Sequence, residues 1–300
     1  MTEYTQFQGI RSGSVPLDVA AAVNFLAGLA IAGVMLLLYA PVLGPQVQQW
    51  WTDPNYSYCF CVPAISGWIL WRERKRWSAA NRRPSVWGIW IALLAMGLLI
   101  AGTLGAERFT ARISFVVLIA GIVLFLLGGE TLRLVAFPLA YLVFMVPLPA
   151  IVFYQLALPL QLVASRLGAE GLNALGVHTM REGNLLILPN CTLGVVESCS
   201  GIRSLLSIFA AVTACGHFAG RVLWRRCAVL LFAVPVVIAC NGLRLIADGL
   251  LSRAAGPQAD SGLIHLALGM VSFLVACGAL LLADEGLGIL TLKFAPRVPH

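Results

Sequence analysis

The stretch Trp87-Gly88-Ile89-Trp90-Ile91-Ala92-Leu93-Leu94-Ala95-Met96-Gly97-Leu98-Leu99-Ile100-Ala101-Gly102-Thr103-Leu104 runs for eighteen residues without a charge. As a helix it is about 27 Å long, close to the hydrocarbon thickness of a bilayer. Just before it stand Trp71-Arg72-Glu73-Arg74-Lys75-Arg76-Trp77 and then Arg82 and Arg83. An apolar run of this length beside a dense basic cluster reads as a membrane span with a cytoplasmic flank.

The whole chain agrees. Its 300 residues are 60% hydrophobic and 11% charged, with a mean hydropathy of +0.89. Soluble domains carry about 25% charged residues. The expected fold class is an all-α polytopic membrane protein whose first partner is membrane lipid. The net charge of +7 follows from orientation in a bilayer and does not suggest nucleic acid. Met1 to Asp18 is polar and the first apolar run is too long for a signal-peptide core, so no cleavable signal is expected. Eight cysteines lie scattered, without a CxxC pair or metal-ligand spacing. They form no disulfide framework, and neither a metal nor an organic cofactor is expected.

Eight spans are expected, over about 19–42, 56–71, 87–104, 113–127, 134–149, 202–219, 227–246 and 263–283. The apolar stretch 151–165 is short and contains Pro159, and it reads as an interfacial or re-entrant helix. Counting from the cytoplasmic loop after the second span puts both termini inside. The cluster Arg221, Arg225 and Arg226 then also falls inside, and so do 13 of the 20 lysines and arginines. The segment from about 150 to 200 becomes extracytoplasmic. Within it, Gly183-Asn184 and Pro189-Asn190 are turn signals that bracket Leu185 to Leu188, with Leu193 to Val196 following. That pattern predicts a small hairpin at the membrane surface. With no internal repeat or linker, the chain reads as a single domain over residues 1–300.

Ionisable groups at the edges of spans are costly and mark function by default. Three sets qualify: Glu197 to Arg203 at the start of the sixth span, Asn241 to Arg244 with Asp248 near the end of the seventh, and His265 at the start of the eighth. On this topology Cys199, Arg244 and His265 share one depth and one face of the membrane. Such a set suits nucleophilic acyl transfer. Cys199 at a helix N-terminus is favoured as thiolate. An arginine can donate to a developing oxyanion. His265 can protonate a leaving amine and deprotonate the next nucleophile. Gly201 leaves room for a substrate backbone or a neighbouring helix. Arg203 and Arg244 are both available by spacing: Arg203 follows Cys199 by one turn, and Arg244 shares a face with Asn241.

Blander roles stand beside these. Cys59, Cys61, Cys215, Cys227, Cys240 and Cys277 read as small hydrophobes. Cys191 is either inert or a disulfide partner of Cys199. His217 reads as an interface residue and His178 as solvated, and His265 could itself be an interfacial side chain. Asp248 has Arg244 and Arg253 as possible partners.

At these residues the sequence resembles the exosortase/archaeosortase family of membrane transpeptidase-like enzymes. The resemblance is carried by Val146-Pro147-Leu148-Pro149, Leu158 to Leu162, Arg181-Glu182-Gly183-Asn184 and Cys199-Ser200-Gly201-Ile202-Arg203-Ser204-Leu205. Asn241-Gly242-Leu243-Arg244, His265 with Gly269, and Asp53-Pro54-Asn55-Tyr56-Ser57 complete it, over about residues 50–285. The chain has Tyr58-Cys59 where the family usually has His-Gly. The resemblance implies Cys199, Arg244 and His265 as the catalytic set, which favours Arg244 over Arg203. His265, where the archaeal branch carries arginine, implies the exosortase branch. Arg203, Asn241, Glu197 and Gly201 then become supporting or substrate-binding residues.

The resemblance further implies a bacterial cytoplasmic membrane enzyme with its site facing outward. Its substrates would be secreted proteins whose C-terminal tail carries a short motif such as Pro-Glu-Pro, a membrane helix and a basic cluster. An exopolysaccharide or a lipid is a possible acceptor. The rival readings are a polytopic transporter and a non-catalytic scaffold for exopolysaccharide export. Neither needs the thiol of Cys199.

Overall fold

A computed structural model describes residues 17–189, 191–195, 201–255 and 263–294. Ten α-helices lie in this range: α1 (Leu17–Thr52), α2 (Cys61–Arg72), α3 (Arg74–Ser78), α4 (Trp87–Leu104), α5 (Arg108–Leu127), α6 (Gly129–Tyr141), α7 (Ala150–Ala174), α8 (Ile202–Phe218), α9 (Leu223–Ala255) and α10 (Leu263–Phe294). Two 3-10 segments, Pro54–Phe60 and Leu142–Met145, precede α2 and follow α6. The all-α polytopic class is therefore correct. Six described helices are long and apolar enough to cross a membrane: those around Gly28–Thr52, Trp87–Leu104, Arg108–Leu127, Ala150–Ala174, Leu223–Ala254 and Leu266–Gly288. The spans expected over 56–71, 134–149 and 202–219 correspond to shorter helices of 12, 13 and 17 residues. A 3-10 segment extends each of the first two.

The chain divides into two compact units, Met1–Pro45 and Gln46–His300. The described part of the first is the N-terminal portion of α1, an apolar helix containing Pro41 and Pro45. Everything below concerns the second.

Two pairs of contacts fix the ends of this unit. At one end Arg203, in the first turn of α8, donates from Nε to Asn55 Oδ1 at 3.4 Å. At the other, His217 in the last turn of α8 lies 3.3 Å from the Glu73 carboxylate just after α2 and stacks on Phe137. The segment from Asn55 to Glu73 and helix α8 thus run parallel and meet at both ends. Helices α9 and α10 run antiparallel. Arg225 pairs with Asp284 at the Glu73 end, and Ser272 donates to the Cys240 carbonyl at 3.2 Å farther along. From Arg225 to Asn241 is about 24 Å of helix, most of a bilayer core.

Close helix approach comes from small residues, as is usual in lipid, where no hydrophobic force joins helices. A Cβ on Gly88 in α4 would stand 2.4 Å from the Phe125 backbone nitrogen in α5, and one on Gly102 would stand 2.5 Å from that of Ala111. The α4–α5 pair is therefore packed backbone to backbone.

Helix α7 is longer than the stretch 151–165 suggests. It is continuous through Pro159 for 25 residues. The fixed φ of proline is helical, so only one backbone hydrogen bond is forfeited. The extension is held by packing on α9. Leu167 touches Gly242 and Leu172 touches Gly249, so the two helices run in the same direction. The chain therefore does not return along α7 to the Glu73 end. It passes instead into a three-stranded antiparallel sheet: β1 (Met180–Glu182), β2 (Leu185–Ile187) and β3 (Thr192–Gly194). Pairings include Arg181 with Leu186 and Leu186 with Leu193. The expected hairpin is β2–β3, and Gly183, at φ +61°, makes the preceding turn. Buried Leu186, Leu188, Leu193 and Val195 seat the sheet on Ala164, Leu172 and Leu245.

Candidate active site

The chain enters this region from the sheet. The Val195 nitrogen donates to the Asn184 carbonyl at 2.9 Å, which anchors the end of β3. Residues 196–200 follow, so Glu197 and Cys199 lie outside the described residues. The chain is described again at Gly201, the N-cap of α8, with φ +81°. That left-handed conformation requires glycine. Gly201 also faces α9 directly: a Cβ there would sit 3.4 Å from Asn241 Cβ and Cγ and 3.5 Å from Val237 Cγ1. The neighbour for which Gly201 makes room is thus helix α9.

On α9, Asn241 is buried. One turn later the side chains of Arg244 and Asp248 are 9% and 5% exposed, with Nε and Oδ2 3.7 Å apart. Of the two arginines considered for Asp248, it is Arg244 that stands beside it. Burying this pair in a membrane protein is expensive unless the charges offset one another. The Arg244 guanidinium lies flat over α10, where a Cβ on Gly269 would be 3.4 Å from its Cζ. Gly269 is one turn after position 265, so the two share a face of α10. The backbone of His265 belongs to α10. Its side chain lies outside the described residues.

The structure therefore gathers Gly201, Asn241, Arg244 and Gly269 at the end of the unit opposite Glu73. It sends the two candidate arginines in different directions. Arg244 faces α10, whereas Arg203 reaches Asn55, whose own backbone nitrogen donates to the capping carboxylate of Asp53 at 2.9 Å. The link between Arg203 and Asn55 joins residues 148 apart in sequence, and only the fold reveals it.

The remaining residues fall mostly where expected. Cys59 is fully buried and its thiol donates to the Phe144 carbonyl at 3.6 Å. It packs with Trp50, Tyr56 and Val62, so the Tyr58-Cys59 departure is filled by core packing. Cys191 is partly buried. His178 is exposed. His217 sits at the Glu73 end between an acid and an aromatic ring.

A polytopic α-helical membrane protein with a buried Arg244–Asp248 pair at the end opposite Glu73 is the class that this fold and site define. The family model of the transmembrane exosortase, Exosortase_EpsH, matches residues 50–282. The chain belongs to that family. Comparison with curated proteins and with solved structures gives no match.

Proposed function

We propose that the protein is a cysteine-dependent peptidase or transpeptidase that removes C-terminal sorting tails from secreted proteins. The Cys199 thiolate attacks the scissile carbonyl and Arg244 donates to the oxyanion. His265 protonates the departing amine as the C–N bond breaks, leaving a thioester on Cys199. His265 then takes a proton from water or from an acceptor nucleophile, which releases the product and frees the thiol.

The observation that carries this reading is the placement of Arg244. Its guanidinium is buried on Gly269, one turn from position 265. Asn241, one turn before it, backs Gly201, which follows position 199 by two residues. Two trans peptide units reach about 7 Å, and one helical turn rises about 5.4 Å. These short tethers support a shared site for the three positions. Asp248 serves Arg244 as counter-charge and positioning residue.

The substrate class follows from membership of the family and from the basic flank of the tail. A tail that stops in the membrane with its basic end inside presents its short motif at the outer surface. With the Glu73 end cytoplasmic, as the arginine clusters suggest, the site lies at that level. On this reading the protein sits in a bacterial cytoplasmic membrane with both termini inside.

The test is processing of a secreted reporter that carries a Pro-Glu-Pro-type tail from the same genome. Tail removal should survive Cys191→Ala and vanish with Cys199→Ala. Processing that continues without the Cys199 thiol would rule out this nucleophile.

A further inference from the structure

A cavity of about 430 Å³ opens at the Asn55 end, between the starts of α5 and α7. That volume is in the range of ligand sites. One of its walls is anomalous. Arg112 is only 4% exposed and lines the cavity, yet among the described residues it forms neither a hydrogen bond nor an ion pair. A buried guanidinium without a hydrogen bond is costly, and the neighbouring Glu107 carboxylate offsets its charge only in part. The two carboxylates of the cavity both serve as helix caps. Glu107 caps α5, accepting from the Phe109 and Thr110 nitrogens at 3.0 and 2.6 Å. Asp53 caps the segment that begins at Pro54.

A second, independent observation lies across the cavity. Pro149, Ala150 and Ile151 line it, and they form the start of α7, which has no side-chain cap. The first helical bond there is from the Phe153 nitrogen to the Pro149 carbonyl. The preceding N–H groups of α7 have no helical acceptor, and the helix dipole favours an anion beside them.

We propose that Arg112 and the first turn of α7 form a subsite for a carboxylate carried on an extended peptide. The inference rests on the peptidase reading above and names how its substrate is held. Three features favour a peptide carboxylate over a lipid phosphate. Asp53 and Glu107 stand in the same cavity and oppose any larger negative charge. Tyr56, Phe109 and Pro147 supply flat apolar walls for the neighbours of an acidic residue in an extended chain. Asn55, itself a wall residue, accepts from Arg203 in the first turn of α8, so the cavity adjoins the start of α8.

The experiment uses the full chain carrying Cys199→Ala, in nanodiscs of zwitterionic lipid. The probes are two end-capped hexapeptides that differ only in a central Glu or Gln, and binding is read by fluorescence polarisation. The Glu peptide should bind at least about tenfold more tightly. Arg112→Met should erase that preference while melting no lower than its parent, because a buried charge without a hydrogen bond has been removed. Arg112→Lys, which keeps the charge but not the fork, should retain part of it. Equal binding of the two peptides, or a preference that survives Arg112→Met, overturns the proposal. A melting temperature that collapses in both variants overturns it too, by making Arg112 structural. Loss of the Glu preference when phosphatidylglycerol is added to the discs would assign the subsite to lipid phosphate and also overturn it. The two readings fail separately. Processing that survives Cys199→Ala removes the peptidase reading alone. A missing Glu preference alongside Cys199-dependent processing removes this subsite alone.

Discussion

Substitution of Gly201 by alanine isolates the conformational demand at the start of α8. The native φ is +81°, where an L-residue with a Cβ is disfavoured by about 1–2 kcal/mol. The steric cost is small by comparison. The new Cβ would meet Asn241 and Val237 at 3.4–3.5 Å, which is ordinary van der Waals contact. The predicted destabilisation is therefore about 1–2 kcal/mol, a factor of about 5–30 in the local folded ratio. It falls on the turn that follows Cys199, so processing should drop by at least as large a factor as stability does. The assay is paired: unfolding free energy of the purified protein in detergent, and tail removal from the reporter in cells. Gly201→Ala as stable and as active as the native protein would refute the left-handed turn. A loss above about 4 kcal/mol would show that packing against α9, and not backbone conformation, dominates.

Further expectations follow from other contacts. Gly88→Ala forces a Cβ to within 2.4–2.6 Å of the α5 backbone, so the α4–α5 pair must separate; a loss of at least about 2 kcal/mol is expected, read as reduced accumulation in the membrane. A double-mutant cycle on Asn55→Ala and Arg203→Ala should give a coupling energy of about 1 kcal/mol in unfolding, and independent effects would mean that their contact contributes nothing. Partial burial raises the Glu107 carboxyl, but hydrogen bonds from Thr110 and Phe109, with the Arg112 charge, outweigh it and hold the group below the ordinary carboxylate range. A depressed folded-state value means that its stabilisation is present above the unfolded value and lost as pH falls through the folded one. The stability gap between the native protein and Glu107→Ala should thus be widest near neutrality and close in acid; a gap that widens in acid would contradict the cap.

How much of this was legible in the sequence depends on the range of the interactions. The bounds of α4 are those of its charge-free run, because lipid alone dictates them. The turn at Gly183-Asn184 was readable because glycine at positive φ has a local cause. Strand β1 was not, since Met180, Arg181 and Glu182 are all exposed and show no alternation. The length of α7 was hidden by Pro159, whose local penalty is offset by glycine-mediated packing on α9 nearly eighty residues away. The shared end of Gly201, Arg244 and Gly269 is set by the contacts of α9 with the start of α8 and with α10. The pairing of Arg203 with Asn55 and the burial of Arg112 without a hydrogen bond are tertiary facts. The only sequence trace of the latter is a second arginine one turn after Arg108 in an otherwise apolar helix.

The most direct measurement is the mass of the peptide containing Cys199 after purified protein has been quenched in acid during turnover of a tailed substrate. The mechanism predicts a covalent acyl adduct on Cys199 that hydroxylamine removes, that accumulates in His265→Ala, and that is absent in Cys199→Ala. Turnover without an adduct on Cys199, or with an adduct on another residue, would contradict the assignment of Cys199 as the nucleophile.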